Sequence, residues 1–369
     1  MDFRSMYAAG VLVRTNPTNL YDLAHQKRVE DTLVSRRPGV LPFNHLPYEA
    51  LIFLPISLLK YRDAYLCILF FNALLIFPCF FLARENFSAL VNPWQPRPGL
   101  IFFIYLPVAI ALAHGQDSML LLLICCLTWH QLTLAKHFSA GGTVALALFK
   151  PHLALLLGFL LCIRYGWRFL AGFVAGGVVI AMMCILIVRV HGINSFMAIL
   201  KATSLVTGQN EMAQNSVGVF PKAMPNLRGL LYAMGSQYVP STLAFGVVSI
   251  ASLVLLGWVV YVIRGKTDEN AFALSIFCTV LLSYNFQVSD LTILLLPIVM
   301  LAARTCSRFL RGCLYTLFLL PPLLLILSNR QSANSFYLLS LPILAITILI
   351  TRMPQPLIDM PPGESSSHA

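Results

Sequence analysis

The chain has 369 residues, 58% hydrophobic and 11% charged, with a mean hydropathy of +0.80 and a formal net charge of +11. A charged fraction about half that of ordinary soluble domains cannot cover a globule of this size, which excludes a soluble protein and makes a bilayer the solvent for most of the chain. The excess of 25 Lys and Arg over 14 Asp and Glu would raise nucleic acid as a partner in a soluble chain, but here the basic residues mostly punctuate apolar runs. They read as topology signals and, for a few residues, as sites for anionic phosphate groups, with no nucleic acid implied.

The stretch up to His45 is polar by comparison and reads as an exterior loop with interfacial helices. Phe3, Met6 and Tyr7 stand at i, i+3 and i+4, the spacing of a helix laying one apolar face on the membrane, with Asp2 projecting from its start. Arg4, Arg14, Lys27, Arg28, Arg36 and Arg37 make a positive surface beside it, suited to lipid headgroups. Crossing the hydrocarbon core takes about 20 residues. Apolar segments then follow at 46–59, 64–83, 99–113, 118–135, 143–163, 169–188, 242–263, 271–284, 291–303, 310–327 and 335–350. They predict an all-α, polytopic integral-membrane helical bundle of about eleven spans. The first segment is short and carries Pro47 and Pro55, a break tolerated where backbone lines a protein-buried or wet cavity. The expected organisation is an exterior loop over 1–45, a transmembrane module over 46–190, a second exterior loop over 191–240, C-terminal transmembrane helices over 241–352 and a disordered cytoplasmic tail over 353–369.

If each segment crosses once, the short loops on one side carry Lys60, Arg62, Arg164, Arg168, Arg264, Lys266, Arg304, Arg308, Arg311 and Arg352, against Arg84, Arg97, Lys136 and Arg330 on the other. The positive-inside rule makes the first side cytoplasmic and the two long loops exterior, as in a multi-pass plasma-membrane protein. An exterior start with no apolar segment before it predicts a missing first span, about twelve in all. The nine Cys are dispersed without CxxC spacing and suggest neither disulfides nor a zinc site.

An ionisable residue inside an apolar run is costly to bury and is a functional candidate by default. Lys150 and His152 stand within the apolar run 146–153, with Pro151 breaking the backbone ladder between them. Such a lysine can meet a phosphate or pyrophosphate; the alternative is that it snorkels to an interface or pairs with a carboxylate. His114-Gly115-Gln116-Asp117 is a near-minimal turn in which His114 and Gln116 are candidate substrate contacts, while Asp117 equally suits the N-terminus of the next helix. Asp290 precedes an apolar run and reads as a helix cap or a site residue. Tyr7, His45, Glu49 and, in the second long loop, Asn215 complete the candidates for binding substrate, with Arg4 and His152 beside Lys150 for a phosphate. Gly172-x-x-x-Gly176 marks close helix packing, within one bundle or between chains.

Asp2-Phe3, Tyr7-Ala8-Ala9-Gly10, Leu20-Tyr21-Asp22, Phe53-Leu54-Pro55, Gly115-Gln116, Lys150-Pro151, Leu281-Leu282-Ser283 and the run 294–297, in that order, resemble glycosyltransferase family 87 over most of the chain, from Asp2 to about Leu301. That family belongs to the C-type membrane glycosyltransferases and includes polyprenyl-phosphate-mannose-dependent mannosyltransferases. The resemblance implies a C-type fold and inverting transfer of a hexose, mannose first, from a polyprenyl-phosphate-linked sugar donor to a lipid or glycan acceptor on the outer face. It also implies that Asp2 is the general base and that Lys150 meets the donor phosphate. The chain departs from the family pattern in reading Leu46-Pro47-Tyr48-Glu49 where a Pro-Pro pair is usual, which adds the carboxylate of Glu49, and Ser283-Tyr284 where Ser-Pro is frequent.

One carboxylate suffices for such chemistry because a lipid phosphate leaves readily without protonation, unlike the alcohol of a glycoside. The sequence has no Asp-x-Asp pair for a nucleotide-sugar metal and no Gly-rich phosphate loop after a strand, so neither metal nor cofactor is expected. A transporter or lipid flippase would also place a lysine among broken spans, though no internal repeat of the kind such proteins often carry is visible. A purely structural subunit would leave Lys150 and the polar turns without a role.

Overall fold

A computed structural model describes residues 3–33, 40–88, 100–204, 223–235, 241–304, 307–331 and 335–353. Every regular element among them is an α-helix or a short 3-10 helix. Hydrocarbon offers no hydrogen bonds to the backbone, and a helix satisfies its N–H and C=O groups within one segment. In chain order the α-helices are α1 (Phe3–Thr15), α2 (Leu23–Leu33), α3 (Pro47–Phe53), α4 (Tyr61–Leu74), α5 (Ile76–Ser88), α6 (Leu100–Ile104), α7 (Leu106–His114), α8 (Ser118–Thr133), α9 (His137–Ala145), α10 (Pro151–Tyr165), α11 (Trp167–Ser204), α12 (Leu227–Gly235), α13 (Ser241–Ile263), α14 (Asp268–Leu282), α15 (Leu295–Arg304), α16 (Arg308–Gln331) and α17 (Ser340–Arg352).

Four described helical stretches are long and apolar enough to cross a membrane, Tyr61–Arg84, Trp167–Arg189, Leu243–Ile263 and Arg308–Leu327, and shorter apolar helices pack among them. α14 is the centre: Ala271 to Leu281 are buried on every side, as expected of a helix with no polar face. The outer helices expose large apolar side chains such as Phe70, Phe77, Leu253, Val254 and Leu319, which suit lipid and not water.

Each expected apolar segment lies on helix, but several are broken, and the breaks build the site. Lys150 was expected inside a helix spanning 143–163. Instead α9 tightens into a 3-10 turn at Leu146–Phe149 and ends, Lys150 sits at the junction (φ −112, ψ 77), and α10 begins at Pro151. Proline is at home in the first turn, where its missing N–H has no intrahelical partner to lose. The segment 99–113 is likewise split at Tyr105, and 291–303 starts as the 3-10 helix Val288–Leu294 before α15. In the other direction, α11 runs past its expected end to Ser204 with an interruption at Arg189, whose φ is 56.

The apolar face of α1 does not lie on the membrane. Phe3, Met6 and Tyr7 pack on Phe53, Ala64 and Ile68, while Ala9, Leu12 and Val13 on the other side pack with Tyr21, Phe43, Val188 and Phe196. A helix apolar on two faces buries more surface between protein elements than on a lipid interface. Glycine permits the close approach: a Cβ at Gly10 would stand 2.6 Å from the Phe53 carbonyl oxygen. Two of the basic groups expected to face headgroups are paired, Arg4 with Glu30 at 3.1 Å and Lys27 with Asp31 at 2.6 Å.

α9 and α11 cross closely for the same reason. A Cβ at Gly172 would fall 1.9 Å from the Phe138 carbonyl oxygen, one at Gly141 2.0 Å from that of Phe169, and one at Gly176 2.7 Å from the Cβ of Ala145. The Gly172-x-x-x-Gly176 motif is thus used inside the bundle.

Candidate active site

The site grows from the turn between α7 and α8. Gly115 ends α7 in the left-handed conformation (φ 64, ψ 34), and the N–H of Gln116 bonds back to the Ala111 carbonyl at 3.0 Å. From α4, Asn72 Nδ2 donates to the Gln116 carbonyl at 2.8 Å and Tyr65 donates to that of Ala113 at 2.8 Å. Phe3 packs on the front of the turn so tightly that a Cβ at Gly115 would lie 3.0 Å from its Cβ. The turn therefore aims Gln116, Asp117 and Ser118 into the protein, where all three are buried.

Two further segments meet it. The α9/α10 break brings Lys150, and the 3-10 helix before α15 brings Gln287 and Asp290. Lys150 Nζ lies 2.9 Å from Asp117 Oδ1, contacts Asp290 Oδ1, and stands 3.2 Å from Ser118 Oγ. Ser118 Oγ donates to Asp290 Oδ1 at 3.0 Å, and Gln116 Nε2 donates to Gln287 Oε1 at 2.7 Å. Asp290 Oδ2 accepts the Gln287 N–H at 3.1 Å and so closes a capping box. Asp290 is both helix cap and ion-pair partner. Asp117 sits at the N-cap of α8 but makes no capping hydrogen bond; its carboxylate is turned to Lys150 and Glu49.

α3 supplies the fourth side. Tyr48 donates to the Leu146 carbonyl at 2.8 Å, tying the start of α3 to the 3-10 turn that follows α9. This sets Glu49, wholly buried, beside Asp117, and His45 Nδ1 lies 2.7 Å from Glu49 Oε2. The His45 ring stacks on Phe43 with centroids 5.5 Å apart, and Tyr21 donates to the His45 carbonyl at 2.6 Å. His152, the second residue of α10, is half-buried with Nε2 shielded from solvent and without a hydrogen-bond partner.

Of the residues singled out from the sequence, Lys150, Asp290, Gln116, Glu49 and His45 come together here, with His152 at the edge. His114 is exposed at the end of α7. Tyr7 donates to the Leu59 carbonyl at 2.8 Å, and Arg4 is held by Glu30. Asp2 and Asn215 lie outside the described residues. Ser118 and Gln287 were not picked out; both are neutral neighbours of suspected carboxylates, and nothing in an isolated Ser or Gln marks it. α12 also docks near by, with Asn226 donating to the Ser283 carbonyl at 2.6 Å and the Arg228 guanidinium 3.9 Å from the Tyr284 ring. In the N-terminal helices, burial pushes the Glu30 carboxyl above its ordinary range despite Arg4, while the backbone N–H groups of His25 and Ala24 hold that of Asp22 below its own.

The family model described as Glycosyltransferase family 87 matches residues 46–289, about two thirds of the chain, from the residue before α3 to the start of the 3-10 helix Val288–Leu294, stopping one residue before Asp290. The chain belongs to glycosyltransferase family 87. It is therefore an enzyme that transfers a sugar, and the apolar helices make it a membrane glycosyltransferase. Within the family match, His45 stands just outside the first matched residue, while Glu49, Gln116, Asp117, Lys150 and Gln287 stand inside it. No curated protein and no solved structure matches the chain.

Proposed function

We propose that this family 87 enzyme moves a hexose, mannose first among them, from a polyprenyl-phosphate-linked donor to a lipid or glycan acceptor on the outer face of the membrane, with inversion. The observation that carries the reading is the convergence on Lys150 of three segments distant in sequence, making a buried polar cluster in an otherwise apolar bundle. Such a cluster is expensive in hydrocarbon and is explained by chemistry on a charged substrate.

In the proposed reaction the acceptor hydroxyl oxygen attacks the anomeric carbon and its proton passes to the carboxylate of Asp2. The bond from that carbon to the phosphate oxygen breaks, and the electron pair leaves with the polyprenyl phosphate. The group that departs is an anion, so the enzyme's task is to orient the donor and to hold positive charge where negative charge grows. Lys150 supplies that charge at the α9/α10 break, and meets the donor by exchanging one of its three present partners for a phosphate oxygen. Asp2 directly precedes Phe3, which packs on the Gly115 turn; this adjacency supports its assignment as base.

The test is transfer of radiolabelled sugar from synthetic polyprenyl-phosphate-mannose and -glucose in membranes carrying the full-length protein. Asp2→Asn is expected to lose about 10²- to 10⁴-fold in rate, the usual contribution of a general base. Full activity in that variant removes Asp2 from the role. Absence of transfer from either donor, with substrate-driven flux in proteoliposomes instead, overturns the transferase mechanism in favour of transport.

A further inference from the structure

We infer that His45, Glu49 and Asp117 form a binding site for one divalent metal ion, of the Mn²⁺ or Zn²⁺ kind, beside Lys150. One ligand atom from each lies within 4.8 Å of the others, a spacing that small side-chain adjustments close around a single ion.

Three observations lead to it. First, the atoms are buried and poorly paired. Both carboxylate oxygens of Glu49, both of Asp117 and Nδ1 of His45 are shielded from solvent without a well-formed hydrogen bond. The 2.7 Å His45–Glu49 and 2.9 Å Lys150–Asp117 approaches are close in distance but off the hydrogen-bond axis. Buried polar groups are nearly always satisfied, and a ligand is a standard reason for exceptions. Second, carboxylates outnumber cations. Asp117, Asp290 and Glu49 gather around the single ammonium of Lys150, and a divalent cation offsets the negative charge that this arrangement concentrates. Third, the imidazole is held from outside. Phe43 stacks on the ring and Tyr21 donates to the His45 carbonyl, contacts that fix the place of the imidazole beside Glu49.

Donor chemistry narrows the ion. Two carboxylates and an imidazole mix the hard oxygen ligands of Mn²⁺ with the nitrogen preferred by Zn²⁺, and no thiolate belongs to the group. Three protein ligands leave coordination positions open, as in metal sites that act on substrate. This further role rests on the transferase reading above. Lys150 Nζ already donates to Asp290 and Ser118 and stands 2.9 Å from Asp117, so its ammonium is engaged by carboxylates, and a second cation beside it favours an incoming phosphate. The ion's open positions would take the phosphate oxygens.

The site is tested on full-length protein in detergent, stripped with EDTA and titrated with Mn²⁺ under electron paramagnetic resonance, with Zn²⁺ as competitor. The wild type is expected to take up one Mn²⁺ per chain, Glu49→Gln and His45→Gln to bind at least about tenfold more weakly, and Asp63→Asn, an exposed carboxylate on α4, to bind as the wild type does. Comparable size-exclusion profiles show that the variants are folded. Absence of stoichiometric uptake by the wild type, or equal uptake by both site variants, overturns the proposal. The phosphate role is read separately: EDTA should abolish sugar transfer and Mn²⁺ restore it, whereas transfer indifferent to EDTA refutes that role. Because uptake is measured without donor, Mn²⁺ bound by a protein that transfers no sugar upholds the metal site and defeats only the transferase mechanism.

Discussion

Lys150 is 5% exposed, and its ammonium is compensated by two aspartates from different parts of the chain. Removing one partner of a buried ion pair leaves an uncompensated charge, at a cost of about 3–5 kcal/mol. Lys150→Ala is therefore expected to lower the unfolding midpoint of the detergent-solubilised protein clearly, and adding Asp290→Asn to recover part of the loss by removing one orphaned charge. Unchanged stability in Lys150→Ala would mean that the cluster is open to water. Glu30 gives a pH-dependent counterpart outside the spanning helices. Its folded pKa is raised by burial, so between the unfolded and folded values the native state holds the extra proton. Stability then falls as pH rises from the ordinary carboxylate range through the folded value, and the full penalty remains above it. Glu30→Gln should flatten that part of a melting-temperature profile; a wild-type profile that rises there contradicts the sign. Lys150 stood out in the sequence because a charge in an apolar run is rare and costly. The pairing was not legible there, since Asp290, itself a candidate, is 140 residues away and Asp117 sits in a turn where a capping role explains it equally well.

At the scale of elements, small residues decide how closely helices approach. The 1.9 Å clash awaiting a Cβ at Gly172 involves backbone on α9, which cannot swing aside as a side-chain tip would. Gly172→Val should force the helices apart and cost about 1–3 kcal/mol or more, whereas Gly257→Ala on α13, where a Cβ meets nothing within 4 Å, should be near neutral. Thermal unfolding of the two variants side by side checks the contrast, and equal melting temperatures would remove the α9/α11 crossing as a stability determinant. The apolar segments themselves were readable from hydropathy. The breaks were harder, because an all-apolar run has no polar stripe to show where helix stops. Pro151 marked one, yet only the arrival of α3 through Tyr48 and Leu146 shows that the break serves the cluster. The face of α1 was misread for a related reason: Phe3, Met6 and Tyr7 suit lipid and protein equally, and long-range packing decides between them.

At the scale of the whole molecule, polar ties mark two ends. Arg164 at the end of α10 pairs with Asp268 at the start of α14 at 2.9 Å, and Lys266 Nζ donates to the Thr351 and Met353 carbonyls at 2.8 and 2.6 Å. These residues belong to three of the basic loops, around Arg164, Lys266 and Arg352, which meet at one end of the bundle; Lys60 and Arg62 instead flank Tyr61, whose ring packs on Phe3 beside the Gly115 turn. The Lys150 cluster lies at the opposite end of α10, whose 15 residues span about 22 Å. Sidedness therefore follows from one measurement. If positive loops stay in the cytoplasm, the Arg164 end is cytoplasmic and the cluster faces the exterior, where a lipid-linked donor needs no nucleotide. A green fluorescent protein fused after Ala369 should fluoresce and alkaline phosphatase at the same point should stay inactive, because the enzyme matures only outside. Phosphatase inserted near Asn215 should be active. The reverse pattern would turn the cluster to the cytoplasm and withdraw the outer-face acceptor, while leaving the Lys150 network and the His45–Glu49–Asp117 group as they stand.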